Sequence, residues 1–142
     1  MQENKIPNNL SEKERDLLEQ ALNAQKNAYC PYSNYPVGAI VLSENNNIYE
    51  GWNVEAVNFN GTTHAEQNAI CRMPENDRKI KILIFVSKDG GFPCGHCRQI
   101  INEFSSTNTK IIGLSTNTNI ITIDKISNIF PSPMKIGKDA LK

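Results

Sequence analysis

The run Ile80-Lys81-Ile82-Leu83-Ile84-Phe85-Val86-Ser87 limits the possible folds more than any other stretch of the chain. A strand with one wet face alternates apolar and polar residues, whereas this one is almost continuously apolar and reads as a strand covered on both faces. Helices must then pack on both sides of it, which points to an α/β layer architecture. The chain supplies such helices. Residues 11–28 read as one, with Ser11 and Glu14 as a capping box and Leu17, Leu18, Ala21, Leu22 and Ala28 along an apolar face. HAEQNAICRM (64–73) has helical spacing and stops before Pro74, and CGHCRQIINEF (94–104) puts Cys97, Ile101 and Phe104 on one side. Residues 35–43 and 48–54 read as strands joined at the turn Asn45–Asn47, 110–115 and 119–123 as two further strands, and 124–130 as a short helix stopped by Pro131. The order α-β-β-α-β-α-β-β-α predicts a three-layer α/β/α sandwich around a mixed five-stranded sheet.

A length of 142 residues suits one domain, 1–142, with residues 1–10 as a flexible N-terminal extension. Lys and Arg total 15, as do Asp and Glu, and the two signs are interspersed. This balance argues against a nucleic-acid or membrane partner. The polar start MQENKIPNNL has the character of neither a signal peptide nor an anchor, and no run is long enough to span a bilayer, so the expected location is the cytoplasm. In a reducing compartment Cys30, Cys71, Cys94 and Cys97 are better suited to metal binding, catalysis or core packing than to disulfides.

The segment FPCGHCRQ (92–99) carries the densest chemistry. Cys94-x-x-Cys97 can be a redox dithiol, part of a zinc site or a plain structural pair. A thioredoxin-like motif usually has an aromatic residue, most often Trp, before its first Cys, and here Pro93 stands there. Zinc needs further ligands, and His64 opens another helical segment thirty residues upstream. His64, Cys94 and Cys97 give three protein ligands and leave a fourth position for water, as in catalytic zinc sites. Cys71 lies about 10 Å further along the His64 helix at 1.5 Å per residue, and His96 sits inside the turn, with its side chain directed away. Cys30 remains open as a further ligand. Helix N-termini favour thiolates, so both cysteines are expected to ionise readily. Glu66 has two readings: with Thr63 it matches a capping box, and beside a zinc-bound water it is the carboxylate that a hydrolytic proton shuttle requires. His-x-Glu followed by Pro-Cys-x-x-Cys is the zinc deaminase signature.

On these residues the sequence resembles the cytidine deaminases. AYCPYSNYPVGA, GWNVE, HAEQNAI and PCGHCRQIINEF are similar to ordered motifs of that family, and IFPSPMKIGKDAL is a looser echo of its ending, so the resemblance runs over roughly 11–141. It implies one Zn²⁺ per subunit on His64, Cys94 and Cys97. It makes Glu66 the group that activates water and protonates the cytosine ring, and it implies that cytidine and 2′-deoxycytidine are deaminated to uridine and 2′-deoxyuridine with loss of ammonia, as in pyrimidine salvage. It assigns the Ala65 N–H to a ring oxygen, Asn53 and Glu55 to the ribose hydroxyls, and Tyr35 to an aromatic position near the substrate. Phe59 falls where short members often carry a Tyr that reaches a neighbouring active site, and the short members imply a homotetramer. The chain departs from the short type in having His64 and Gln67, in Phe59, in Met134 where a Phe commonly covers the base, and in NVEAVN.

Other readings make different demands. A blasticidin-type deaminase shares the core and the zinc chemistry, while Asn53 with Glu55 favours a ribonucleoside. A thiol–disulfide oxidoreductase would work without His64. A noncatalytic zinc module would close its site with a fourth protein ligand.

Overall fold

In the computed structural model, residues 9–134 and 136 are described. The elements in chain order are α1 (Glu12–Gln25), β1 (Gly38–Ser43), β2 (Ile48–Trp52), α2 (Ala65–Cys71), a short 3₁₀ turn (Glu75–Asp77), β3 (Ile80–Ser87), α3 (Gly95–Glu103), β4 (Ser105–Ser115), β5 (Ile121–Lys125) and α4 (Ile126–Ile129). The five strands form one sheet in the order β2-β1-β3-β4-β5. β1 pairs antiparallel with β2 and β3, β3 pairs parallel with β4, and β4 pairs antiparallel with β5. The parallel β3–β4 pair requires a crossover, which α3 supplies.

The apolar run takes the central place expected of it. Ile82, Ile84 and Val86 pack under α1 with Leu17, Leu18 and Ala21. Ile80, Leu83 and Phe85 face the opposite layer, with Ala65, Ala69, Cys97, Ile101 and Ile126 from α2, α3 and α4. This is the three-layer sandwich.

The boundaries differ at several points. α1 ends at Gln25 rather than at residue 28, and Ala24, not Ala28, joins its buried face. Ser11 Oγ accepts from the Glu14 N–H at 3.1 Å, but the capping box stays half formed because the Glu14 carboxylate pairs with Lys110 Nζ at 2.9 Å. Leu10 is 4% exposed and packs in the α1 core, so the part of the expected flexible extension nearest α1 is anchored; residues 1–8 lie outside the described residues. β4 begins at Ser105 rather than at residue 110, because Ser105 pairs with Ile80 before a register shift. β5 runs two residues later than expected.

The Asn-rich hairpin turn is fixed by a buried acid that the sequence did not single out. Asp77 accepts hydrogen bonds from Tyr49 Oη at 2.6 Å, Asn47 Nδ2 at 2.8 Å, Ser43 Oγ at 3.0 Å and Asn45 Nδ2 at 3.0 Å. These bonds, that from Tyr49 foremost, hold its carboxyl below the usual aspartate range. A carboxyl depressed by folding stabilises the native state above its unfolded pKa, about 3.9, and that contribution is lost as pH falls through the lower folded value. Asp77→Asn should therefore lower the thermal midpoint at neutral pH and flatten its fall on acidification, as thermal melts across acidic pH would show. An unchanged acid limb would mean that the cage contributes nothing.

Two glycines allow the helices to approach the sheet. A Cβ on Gly38 would lie 2.3 Å from the Ala21 carbonyl oxygen of α1, and one on Gly51 would lie 2.3 Å from the Ala65 carbonyl oxygen and 2.4 Å from the Ala69 nitrogen of α2. The second contact sets the height of α2 above β2, and α2 begins at the site.

Candidate active site

The loops before α2 and α3 bring their helix starts together. His64 is the N-cap of α2 and Cys94 the N-cap of α3, neither making a side-chain capping bond. Their side chains are thus free to face one another across the loop ends. His64 Nδ1 lies 3.5 Å from Cys94 Sγ and 3.3 Å from Cys97 Sγ, and all three donor atoms fall within 4.8 Å of one another.

This donor set fits a zinc ion. Tetrahedral bonds of about 2.3 Å to sulphur and 2.0–2.1 Å to nitrogen place N and S about 3.5 Å apart, as the two N···S distances do. Two sulphurs and one imidazole are the ligand types Zn²⁺ favours. Among the described residues this group has three members, and Cys30 is not one of them. His96 is also outside it; its ring meets the His64 ring edge-on at 5.4 Å between centroids, so it packs on His64. The easily ionised Cys97 expected from its helix position is not what the protein groups produce. Burial, and then the neighbouring Glu66 and Cys94, push its thiol up. A bound divalent cation reverses that balance and deprotonates a coordinating thiol.

Glu66 is 5% exposed and accepts from the Cys97 thiol through Oε2 at 3.5 Å. The Thr63–Glu66 capping box does not form: α2 is capped one residue later, and Thr63 Oγ1 instead accepts from Asn68 Nδ2 at 3.0 Å. Burial pushes the Glu66 carboxyl up, which suits a group that must hold a proton near neutrality.

Glu66, Ala65 and His64 line a cavity of 420 Å³, within the size range of small-molecule sites. Asn53 and Tyr35 line it as well. The Asn53 side chain is engaged at both ends, Oδ1 accepting from the Val37 N–H and Nδ2 donating to the Tyr35 carbonyl, each at 2.9 Å. Glu55 is buried and stands outside the lining; Oε1 accepts from the Tyr32 and Ser33 N–H groups at 3.1 Å. Burial acts to raise its carboxyl, but hydrogen bonding from the Ser33 side chain, together with these two N–H groups, outweighs it and holds the group low. Phe59 is 59% exposed at φ +51°, packs edge-on against Tyr32, and is not part of the lining. Met134 is exposed, and most of the C-terminal echo beyond it lies outside the described residues. The sequence reading missed Phe85, Ser87 and Phe92 of the cavity wall. Phe85 and Ser87 could have been found, because ligands in open α/β sheets gather at the carboxyl ends of strands.

The family described as the cytidine and deoxycytidylate deaminase zinc-binding region matches residues 11–113. The chain belongs to this family. A zinc-binding deaminase domain therefore carries the His64, Cys94 and Cys97 cluster, and one Zn²⁺ per chain fits it. A cytidine deaminase from Sporosarcina psychrophila is 40% identical to this deaminase over 91 residues, covering 62% of this chain and 67% of the relative. One from Halalkalibacterium halodurans is 33% identical over 98 residues, covering 67% and 74%. The crystal structure of cytidine deaminase from Mycobacterium tuberculosis superposes with a TM-score of 0.75 at 25% identity, covering 89% of this deaminase and all of that chain. The family match ends at Gly113, so the C-terminal echo falls beyond it. Among the described residues of this deaminase, no helix is long and apolar enough to cross a membrane.

Proposed function

We propose that this chain hydrolyses cytidine and 2′-deoxycytidine to uridine and 2′-deoxyuridine, releasing ammonia, in pyrimidine salvage. The observation that carries the reading is a buried carboxylate, Glu66, set 3.5 Å from a ligand sulphur and opening on a nucleoside-sized cavity. Bound Zn²⁺ supplies the Lewis acidity that brings the pKa of a water near 7. Glu66 takes the proton of the attacking water, delivers it to N3 of the ring and passes a second proton to the departing amino group. Water adds at C4 and ammonia leaves, so the products are the uracil nucleoside and NH₃. The Ala65 N–H, at the open end of α2, donates to the ring oxygen. Asn53 and Glu55 take the ribose hydroxyls, Asn53 with the hydrogen-bonding capacity its backbone contacts leave over and Glu55 through the oxygen that Tyr32 and Ser33 leave free. The Tyr35 ring packs beside the substrate.

The cavity lining contains no Lys or Arg among the described residues, which supports a nucleoside rather than a 5′-phosphorylated substrate. Residues 1–142 act as one catalytic domain in the cytoplasm. The protein works as a homotetramer, and the outward-facing Phe59 reaches a neighbouring copy's substrate. Side-by-side turnover tests the substrate reading: cytidine and deoxycytidine are converted, while cytidine 5′-monophosphate, blasticidin S and single-stranded nucleic acid are poor substrates. Preferential turnover of the monophosphate or of blasticidin S would replace it.

A further inference from the structure

The loop between β3 and α3, residues 88–94, delivers Cys94 to the metal cluster. Much of its backbone is tied down by side chains from other elements. Ser115 Oγ donates to the Lys88 carbonyl at 2.8 Å, Thr122 Oγ1 to the Gly91 carbonyl at 2.5 Å, and Arg98 Nε to the Pro93 carbonyl at 2.6 Å. At the start of the loop the tie is the hydroxyl of Tyr35, from the segment leading into β1. Tyr35 Oη donates to Asp89 Oδ2 at 3.0 Å and accepts from the Asp89 N–H at 3.3 Å, so one residue grips the phenol with both its backbone and its side chain. Ser87 Oγ lies 3.3 Å from the same hydroxyl and accepts from the Gly90 N–H at 2.9 Å, closing a ring of hydrogen bonds around residues 87–90.

Immediately after the clasp come Gly90 at φ +66° and Gly91 at φ +77°. Consecutive glycines are the most permissive backbone the loop could have, so its path depends on what ties it at either side. Tyr35 is both a wall of the reaction cavity and one of those ties.

We propose that the Tyr35–Asp89 clasp is a positioning device that fixes the β3–α3 loop and thereby sets where Cys94 meets His64. This rests on the zinc deaminase reading of the site. Tyr35 acts here through the loop, and its hydroxyl does a job that its ring, shared with Phe, cannot do. Groups that orient ligands typically change metal affinity or activity by about 10- to 100-fold when lost.

The test uses zinc-loaded wild type, Tyr35→Phe, Asp89→Ala and the double variant, with zinc release to a chromogenic chelator followed well below the unfolding temperature. Each single variant should release zinc about tenfold faster than wild type, the low end of that range. The double variant should be no faster than the singles, because both break one clasp. With the ring kept, Tyr35→Phe should leave KM within about twofold while kcat falls. Asp77→Asn, remote from the site, should lower the thermal midpoint without speeding release, which separates positioning from general destabilisation. Wild-type release rates in both single variants, multiplying losses in the double, or equal acceleration by Asp77→Asn would each overturn the proposal. A wild type that holds zinc but deaminates nothing would count against the proposed function, and the release rates would still decide the clasp.

Discussion

Glu66→Gln should keep its zinc and its fold yet lose deamination by about 10²- to 10⁴-fold, the usual contribution of a positioned acid–base group. The substitution is nearly isosteric and leaves His64, Cys94 and Cys97 untouched, so metal content by elemental analysis should match wild type. An amide can still hydrogen-bond in that place, but it cannot take a proton from water and pass it to a ring nitrogen. The loss should therefore appear in kcat, with KM little changed. A variant that stays fully active would exclude Glu66 as the proton carrier, whatever the metal does.

Gly51→Ala should damage catalysis in the protein that still folds, and Gly38→Ala should not. Both new methyl groups would meet helix backbone at 2.3 Å, closer than any real Cβ contact, so in each case a helix must move. Overpacking of this kind costs about 1–3 kcal/mol, and both variants should melt earlier by a similar amount. The difference lies in what moves. Gly38 faces α1, which carries none of the site. Gly51 faces Ala65 and Ala69 of α2, whose first turn bears Glu66 and whose N-cap is His64. A displacement of about 1 Å at a reacting group can cost 10²-fold, so kcat/KM of folded Gly51→Ala should fall by about that factor. Thermal melts together with kinetics per folded, zinc-loaded chain check this; equal activity in the two variants would show that α2 tolerates the shift.

The parts of the fold legible in the sequence were those whose cause is local. The apolar run at 80–87 read as a doubly covered strand, and the spacing of Leu17, Leu18 and Ala21 read as one apolar helix face. The first half of β4, Ser105–Thr109, was hidden because its residues are polar. Its link to the sheet comes from the pairing of Ser105 with Ile80 of β3 ahead of a register shift, which no local pattern records. The Asp77 cage was hidden for a similar reason: four donors from the hairpin, 28 to 34 positions before Asp77, converge on it only after β1 and β2 have paired. The glycines at 38 and 51 look like ordinary strand residues until the helices are in place.

At the site, the His64, Cys94 and Cys97 cluster was legible because zinc chemistry dictates both residue type and spacing, and the loop ends turn His64 and Cys94 toward each other. Glu66 was ambiguous between helix cap and catalytic group, and the position of the cap removes the first reading: α2 starts one residue too late for Thr63 to close the box. Asn53 was singled out for a polar role, but its two hydrogen bonds to the Tyr35 and Val37 backbone were invisible without the fold. The Tyr35–Asp89 clasp, spanning fifty-four positions, had no signal in the sequence.

The most direct test of the central claim is to mix the protein, loaded with one Zn²⁺ per chain, with cytidine and follow ultraviolet absorbance and ammonia together. The account predicts loss of the cytidine absorbance with one ammonia formed per uridine, and abolition of both by Glu66→Gln at unchanged zinc content. A folded, zinc-loaded wild type that is inert on every pyrimidine nucleoside would contradict it.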